Sequence, residues 1–311
     1  MLAVALQRRG IQEKSMRKEL LTIITPVYNR ADLMPRLYRS LKGQENKNFL
    51  WLIVDDGSSD EIEEVVQKFT ETTDFSIEFY RKENGGKHTA LNLAFDNLDT
   101  QLAIVVDSDD MLTPKATDII EYTWLNRTVS DVAGCVFLRG YDENNCIGHS
   151  ELEDGVYHMV DVMFSHRIDG DKAEMFRCDI LKKYRFPEFE NERFMGESYI
   201  WSQIYLNYQM VYCNKIIYLC EYLEGGLTKQ GRKLRLESPL GGMEYAKISF
   251  NSQFPLKERI KKAWLYICYG RFAKLKFPEI IRRSGHGMLI LLNYIPGVIL
   301  YLYWKNKYYN N

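Results

Sequence analysis

The sequence predicts an α/β fold with a mostly parallel central sheet and helices on both faces. Apolar strand-like runs alternate with helical patterns through residues 20–125, which is typical of such folds. The run 103–106 is apolar at every position, as expected for a strand that is buried on both faces. Polar loops follow these strands, and right-handed crossovers bring their carboxyl ends to one edge of the sheet. We therefore expect these loops to meet in space.

The individual elements follow from apolar periodicity and from turn residues. The predicted strands are 20–25, 48–54, 76–80, 103–106, 132–137, 172–177 and 209–222, the last of which is either one strand or a pair. The predicted helices are 31–41, 61–69, 88–98 and 114–125. Pro26 ends the first strand, and Pro114 begins the helix that follows the fourth. In the second helix, Ile62, Val66 and Phe69 share one face.

Composition excludes several classes of protein. The formal net charge of −1 over 311 residues argues against a general nucleic-acid binder, so no nucleic-acid partner is expected. Six cysteines are scattered without a Cys-x-x-Cys pair, which favours reduced thiols in the cytosol over a disulfide frame or a zinc site.

An acidic motif ends the fourth strand. Three carboxylates surround Ser108: Asp107, Asp109 and Asp110. Massed carboxylates repel one another and lose solvation, and a hard divalent cation such as Mg²⁺ or Mn²⁺ would offset both costs. The alternative is an Asx-rich turn in which Asp110 or Thr113 caps the next helix.

The other loops offer groups that suit a nucleotide. Asp55 or Asp56 can accept hydrogen bonds from a base N–H or from ribose hydroxyls. Gly85 and Gly86 open a helix whose amino end favours anions, and Lys87 adds a positive charge for phosphate. The sequence has neither a Gly-x-x-x-x-Gly-Lys-Ser/Thr motif nor a Gly-x-Gly-x-x-Gly motif after the first strand. Walker-type hydrolysis and dinucleotide binding are therefore disfavoured.

Four motifs in this order resemble those of the family 2 glycosyltransferases. They are Thr22–Asn29 (TIITPVYN), Val54–Asp60 (VDDGSSD), Asn84–Asn92 (NGGKHTALN) and Asp107–Asp110 (DSDD). The resemblance is strong over residues 20–125 and weaker to about 230. It implies the GT-A fold, a Rossmann-like arrangement, and inverting transfer of a hexosyl or N-acetylhexosaminyl group. The donor would be a nucleotide sugar, often a UDP-sugar, and Mg²⁺ or Mn²⁺ would assist.

The resemblance also implies roles for individual residues. Asp107 would face the ribose or donor sugar, and Asp107 and Asp109 would hold the metal. The residues expected to bind the nucleotide sugar are Thr25, Pro26, Tyr28, Asp55, Asp56, Lys87, Asn92, Asp107 and Ser108.

A catalytic base is expected at the start of a helix in the second half. The family usually places a Glu-Asp pair there, whereas this sequence reads Glu197-Ser198. Glu197 is the best candidate, and Asp169 and Asp171 are rivals. In the alternative interpretation, Glu197 has no catalytic role and is only a first-turn carboxylate that interacts favourably with the helix dipole.

The chain divides into three predicted parts. Residues 1–18 are a flexible extension, and 19–235 form the GT-A domain. Within that domain, 19–125 bind the nucleotide sugar and 126–235 the acceptor. Residues 225–235 read as a glycine-containing basic loop, and 236–311 as a helical tail.

The tail carries an apolar run, 288–304, which basic residues flank at both ends. The run is shorter than the ~20 residues of a spanning helix, and Asn293, Pro296 and Gly297 interrupt it. It favours an interfacial anchor on an anionic leaflet over a packing helix or a true span.

The expected function is metal-dependent glycosyl transfer in cell-surface polysaccharide synthesis. The expected partners are a nucleotide-sugar donor, a saccharide or lipid-linked saccharide acceptor, and a membrane surface contacted through the tail. The expected location is the cytoplasm, peripheral at the inner face of the cell membrane. The alternatives are a nucleotidyltransferase that makes a nucleotide sugar and a non-catalytic nucleotide-sugar-binding subunit.

Overall fold

The structure, a computed structural model, describes residues 18–127, 129, 131–164, 168–220 and 227–309. The predicted extension 1–18 lies outside the described residues apart from Lys18. The α/β fold is confirmed, because the described chain forms one central sheet with helices packed against it.

The strands agree closely with the apolar runs of the sequence. They are β1 (Leu21–Val27), β2 (Phe49–Asp55), β3 (Ser76–Arg81), β4 (Leu102–Val105), β5 (Met111–Leu112), β6 (Val132–Gly140), β7 (Gly155–Tyr157), β8 (Lys172–Arg177) and β9 (Gln209–Leu219). The short strands β5 and β7 were not expected, because two or three residues carry no periodic pattern.

The helices alternate with the strands and then follow them. In the sheet region they are α1 (Met34–Lys42), α2 (Ile62–Thr72), α3 (Lys87–Asp96), α4 (Ala116–Arg127), α5 (Met159–Phe164), α6 (Cys178–Leu181) and α7 (Ser198–Asn207). In the tail they are α8 (Leu227–Glu237), α9 (Pro239–Ile248), α10 (Leu256–Phe272), α11 (Phe277–Ser284) and α12 (Gly287–Tyr309).

The sheet has a parallel half and a mixed half. Its order is β3-β2-β1-β4-β8-β6-β9-β5, with β7 paired to β9. The first four strands are all parallel, whereas β8 runs antiparallel to both β4 and β6. The parallel order therefore covers the half that carries the sequence motifs, and it aligns the carboxyl ends of β1, β2 and β4.

Helices cover both faces of the sheet, as predicted. On one face α1, α2 and α4 pack over a core that includes Leu37, Trp51 and Phe69. On the other face α3 and α7 pack over a second core that includes Leu91 and Ile204. These two layers pack the sheet on both faces, so the loops at the strand ends project from a packed base.

The tail helices form a small bundle with its own apolar core. Leu236, Phe250, Tyr266 and Ile280 are buried in it. The prediction of a basic loop at 225–235 is wrong from Leu227 onward, because burial of Leu236 favours a helix there. Gly225 and Gly226 lie outside the described residues.

Helix α12 is longer than the apolar run suggested. It continues through Asn293, Pro296 and Gly297 over 23 residues. Among the described residues it is the one helix long and apolar enough to cross a membrane by length and composition. Run length therefore does not decide between an interfacial anchor and a span.

Candidate active site

The loops after β1 and β2 are joined by hydrogen bonds at the carboxyl edge of the sheet. The backbone N–H of Asn29, a residue in the left-handed region at φ 51°, donates to the Ser58 hydroxyl at 2.8 Å. The backbone N–H of Ala31 donates to the Asp60 carboxylate at 2.8 Å. These bonds fix a turn on which the Tyr28 side chain is half exposed, so an aromatic face is available to a ligand.

Asp55 is fully buried beneath this turn. Its carboxylate accepts hydrogen bonds from the backbone N–H of Ser58 at 2.9 Å and from the Ser58 hydroxyl at 2.5 Å. The Arg81 guanidinium lies 3.3 Å away and also donates to the Ser58 carbonyl. Asp55 thus holds the turn in place. Its direct contact with a nucleotide stays a prediction, and this burial disfavours it.

Asp56 anchors the loop that opens α3. Its carboxylate accepts hydrogen bonds from the Lys82 ammonium at 2.7 Å and from the backbone N–H groups of Gly85 and Gly86 at 3.0 and 2.7 Å. Only 3% of the residue is exposed. The anion at this end of α3 is therefore the Asp56 carboxylate itself, and its contact with a nucleotide stays a prediction.

Thr25, Pro26, Asn92 and Ser108 are buried, and two of them have identified structural partners. The Thr25 hydroxyl accepts a hydrogen bond from the Trp51 indole at 2.9 Å. The Asn92 amide donates to the carbonyl of Phe186 and accepts from its N–H, both at 2.9 Å. These contacts assign Thr25 and Asn92 to support of the site, so their contact with a donor stays a prediction.

The acidic motif forms a cluster at the end of β4. Carboxylate oxygens of Asp107, Asp109 and Asp110 lie within 4.8 Å of one another. The Tyr218 hydroxyl accepts the Asp107 backbone N–H at 3.0 Å and donates to the Asp110 carboxylate at 2.7 Å. Burial, together with the charge of Asp107, raises the pKa of Asp110 to about 7.

The donor set of this cluster suits a hard divalent cation. Asp107 and Asp109 are partly exposed, and the nearest cationic partner of Asp109 is the Arg30 guanidinium at 3.7 Å. Asp110 is buried and accepts a hydrogen bond from Tyr218, so it supports the motif from the interior of the protein. Asp107 and Asp109 are the residues that could hold Mg²⁺ or Mn²⁺, because both present carboxylate oxygens to the open edge.

Lys87 joins the acidic motif to the predicted base. Its ammonium is hydrogen-bonded to the Asp107 carboxylate and lies 3.2 Å from the Glu197 carboxylate. Burial alone would lower the pKa of Lys87, but the two carboxylates outweigh it and raise that pKa. The structure thus brings together Lys87, Asp107 and Glu197, which are far apart in sequence.

The rival bases lie in a different setting. The Asp169 carboxylate accepts a hydrogen bond from the backbone N–H of His149, and Asp169 and Asp171 are both exposed. Gly170, at φ 72°, turns the chain between them. Asp169 is therefore engaged in its own turn, whereas Glu197 contacts Lys87 directly.

Several site residues were missed from the sequence. Arg139 lies 4.2 Å over the ring of Tyr218 and donates to the Lys172 carbonyl. Glu174 on β8 accepts a hydrogen bond from the Tyr205 hydroxyl, and burial raises its pKa to about 7. Only the sheet order brings Arg139 to the acidic motif and Glu174 close to Arg139 and Glu197, and no local pattern signals it.

The segment before Glu197 is fixed on two sides. Gly86, at φ 95°, lies so close to it that an added Cβ would stand 2.0 Å from the Arg193 carbonyl oxygen. The Glu192 carboxylate accepts hydrogen bonds from the backbone N–H groups of Leu240 and Gly241, at 2.7 and 2.8 Å, in the first turn of α9. The position of Glu197 therefore depends on both the α3 loop and the tail bundle.

Gly86→Ala is expected to lower the free energy of unfolding by ~2–4 kcal/mol, because a side chain there meets backbone in a left-handed conformation. Chemical denaturation measures the loss. Gly196→Ala is the control, since its Cβ would lie 3.6 Å from the nearest atom, the Ser198 hydroxyl. Equal stability of the two variants would refute the close packing of Gly86 on Arg193.

Comparison with known proteins identifies the family of the chain. The family model "Glycosyl transferase family 2" matches residues 22–185, which is more than half of the chain. The glycosyltransferase GlyA of Streptococcus pneumoniae is 26% identical over 77% of this chain, which spans only 36% of that protein. A Campylobacter jejuni GalNAc(5)-diNAcBac-PP-undecaprenol β-1,3-glucosyltransferase is 25% identical over 82% of this chain and 83% of its own length.

Solved structures share the fold. Staphylococcus aureus TarS 1-349, in complex with UDP-GlcNAc, superposes with a TM-score of 0.58 at 18% identity over 93% of both chains. The Pyrobaculum calidifontis mannosyltransferase PcManGT, in complex with GDP-Man and Mn²⁺, gives 0.56 at 15% identity over 93% of this chain and 88% of its own. At such identities the likeness establishes the fold alone.

The fold and the site define an α/β transferase of the GT-A type. The chain belongs to glycosyltransferase family 2. The predicted family is confirmed.

Proposed function

We propose that this chain transfers a sugar from a UDP-sugar to an acceptor hydroxyl, with inversion at the anomeric carbon and with Mg²⁺ or Mn²⁺ bound. The observation that carries the proposal is the contact of Lys87 with both Asp107 and Glu197, beside Asp109. In the proposed site, Asp107 and Asp109 serve as a cation-binding pair, Lys87 as a positive charge and Glu197 as the base. Those three groups are what a single displacement at a sugar diphosphate needs.

Each residue has a role in the proposed reaction. The Glu197 carboxylate removes the proton of the acceptor hydroxyl as the hydroxyl oxygen attacks the anomeric carbon. Lys87 holds Glu197 in place and contributes positive charge near the departing diphosphate. A cation held by Asp107 and Asp109 would stabilise the same diphosphate as a Lewis acid. Tyr28 offers its exposed ring to the base of the nucleotide.

The acceptor proposed here is a saccharide, free or linked to a lipid diphosphate, in the synthesis of a cell-surface glycan. Support comes from the Campylobacter jejuni relative, whose name describes a lipid-linked saccharide and whose length the chain largely covers. We place this reaction in the cytoplasm, at the inner face of the membrane, where UDP-sugars would reach such an acceptor.

A non-catalytic binding subunit is the second candidate, because Ser198 stands where the family usually has a second acid. A thermal-shift panel of UDP-, GDP- and CDP-sugars with and without Mn²⁺ first identifies the donor, since a ligand of the native state raises its melting temperature. Slow hydrolysis of that donor then supports a transferase. Stabilisation without hydrolysis or transfer supports the binding subunit. The lack of a shift with every nucleotide sugar contradicts both candidates, and a donor shift that is the same with and without Mn²⁺ contradicts the metal dependence.

Asp56→Ala is expected to lower the affinity for UDP at least about tenfold, because the partly buried N–H groups of Gly85 and Gly86 lose their acceptor and the α3 loop shifts. Calorimetric titration with UDP and two UDP-sugars should give similar losses for all three ligands. Glu83→Ala, at an exposed position of the same loop, is the control. Unchanged UDP affinity in Asp56→Ala would show that this loop takes no part in binding.

A further inference from the structure

One face of α12 is apolar and uncovered. Its members recur at the spacing of a helical face, and each is more than half exposed. We call this set the outer stripe: Met288, Leu291, Leu292, Ile295, Ile299, Leu302 and Tyr303. A continuous apolar surface of this length on the outside of a helical bundle marks an interaction site, because water makes its exposure costly.

The opposite face of α12 is committed to the tail bundle. Gly297 packs so closely on α10 that an added Cβ would stand 2.6 Å from Cβ of Ile267. The Asn293 amide oxygen accepts a hydrogen bond from the Trp264 indole at 2.8 Å, and Trp304 packs against Tyr269 at 6.1 Å between ring centroids. Crossing a bilayer would strip these contacts from α12 or carry the charged surface of α10 into hydrocarbon.

The charges that flank the outer stripe along the chain, from the end of α11 to the end of α12, are all of one sign. Residues 280–309 include four basic side chains, all exposed, and no acidic one. They stand at the two ends of the stripe: Arg282 and Arg283 before it, Lys305 and Lys307 after it. A second copy of the same face would bring these like charges together, whereas a layer of anionic lipid headgroups complements them.

We propose that the outer stripe lies in the plane of an anionic membrane. The apolar side chains enter the boundary between headgroups and acyl chains, while the four basic residues contact lipid phosphates. A helix that is held by its inner face and open on its outer face suits this in-plane position. The proposal concerns binding to a lipid surface alone, and its test uses no sugar donor, so it stands or falls independently of the proposed function.

Co-sedimentation with vesicles tests the proposal. The full chain is expected to pellet with phosphatidylglycerol–phosphatidylcholine vesicles, to remain in solution with pure phosphatidylcholine, and to be released by high salt. Equal binding to both vesicle types would overturn the proposal, as would no binding to either. Retention in cell membranes after alkaline carbonate extraction would also overturn it, in favour of a span.

Two variants identify the surface. Leu292→Glu with Ile295→Glu is expected to reduce vesicle partitioning at least about tenfold, and Lys305→Gln with Lys307→Gln to reduce it about tenfold. The matched controls are Tyr122→Glu with Leu125→Glu on α4 and Lys68→Gln with Lys115→Gln, all at exposed positions outside the tail. Circular dichroism checks that the melting temperature is kept, as the exposure of every substituted side chain predicts.

The contrary outcomes are distinct. Wild-type partitioning of both tail variants, or equal losses in the controls, would overturn the assignment to the outer stripe. Analytical ultracentrifugation covers the remaining occupant, a second copy of this chain. A dimer in lipid-free buffer that Leu292→Glu with Ile295→Glu dissociates would assign the stripe to self-association instead.

Discussion

Asp109→Asn is expected to abolish metal-dependent turnover and to leave the fold intact. Its side chain faces the open edge of the sheet, and its nearest cationic partner is the Arg30 guanidinium at 3.7 Å. An amide keeps the shape of the side chain but not the negative charge that a hard cation prefers. We expect Mn²⁺ binding in the presence of UDP, measured by calorimetry, to weaken together with turnover, while the melting temperature of the free protein stays near that of the wild type.

Asp74→Asn is a matched control for this change. Asp74 also forms one long ion pair, with Lys47 at 3.8 Å, but it lies away from the acidic motif. Its removal should leave Mn²⁺ binding and turnover unchanged because of this distance from the acidic motif. The fold should also be kept, since exposed ion pairs contribute little to stability. Wild-type turnover of Asp109→Asn at limiting Mn²⁺ would show that Asp109 is not a ligand.

Glu197→Gln is expected to reduce turnover at least about a hundredfold with donor affinity nearly unchanged, since general bases typically contribute ~10²–10⁴-fold in rate. Glutamine keeps the size of the side chain but does not accept a proton at neutral pH. Lys87 retains its hydrogen bond to Asp107, so the donor side of the site should survive. Turnover and calorimetric donor affinity, measured on the same preparation, test both parts.

Glu190→Gln controls for loss of a carboxylate in the same segment, because Glu190 is exposed seven residues earlier. It should retain wild-type turnover. If Glu197→Gln also retains it, Glu197 serves the helix dipole, for which ~0.3–1 kcal/mol of stability is the expected cost. The proton acceptor would then be sought at Asp171 or Asp169 with the same substitution.

The half of the fold that carries the motifs was predictable because its signals are local. Apolar runs place β1, β2 and β4, and the acidic motif appears directly after β4. The mixed half was less predictable, since an apolar run such as β8 does not reveal the direction in which it pairs. The register of strand neighbours is a property of the whole sheet.

The same division explains the candidate site. Lys87, Asp107 and Glu197 stand out by motif, and the structure brings them into contact. Tyr218 was not predicted, because its hydroxyl reaches the acidic motif across more than a hundred residues. Asp55 was expected to contact the nucleotide, yet it is buried under its own turn. Sequence shows which residue types are present, whereas burial decides which of them a ligand can reach.

The hydrogen bonds between the Glu192 carboxylate and the first turn of α9 have a consequence for truncation of this protein. Removing the tail would take away both N–H donors that hold the Glu192 carboxylate, and also the Ser238 hydroxyl that accepts the Phe194 N–H at 3.1 Å. A shortened chain that ends before Ser238 would keep the complete sheet and every motif of the nucleotide half. It would nonetheless lose the hydrogen bonds that fix the segment before Glu197. Such a truncated protein should therefore retain donor affinity better than it retains turnover.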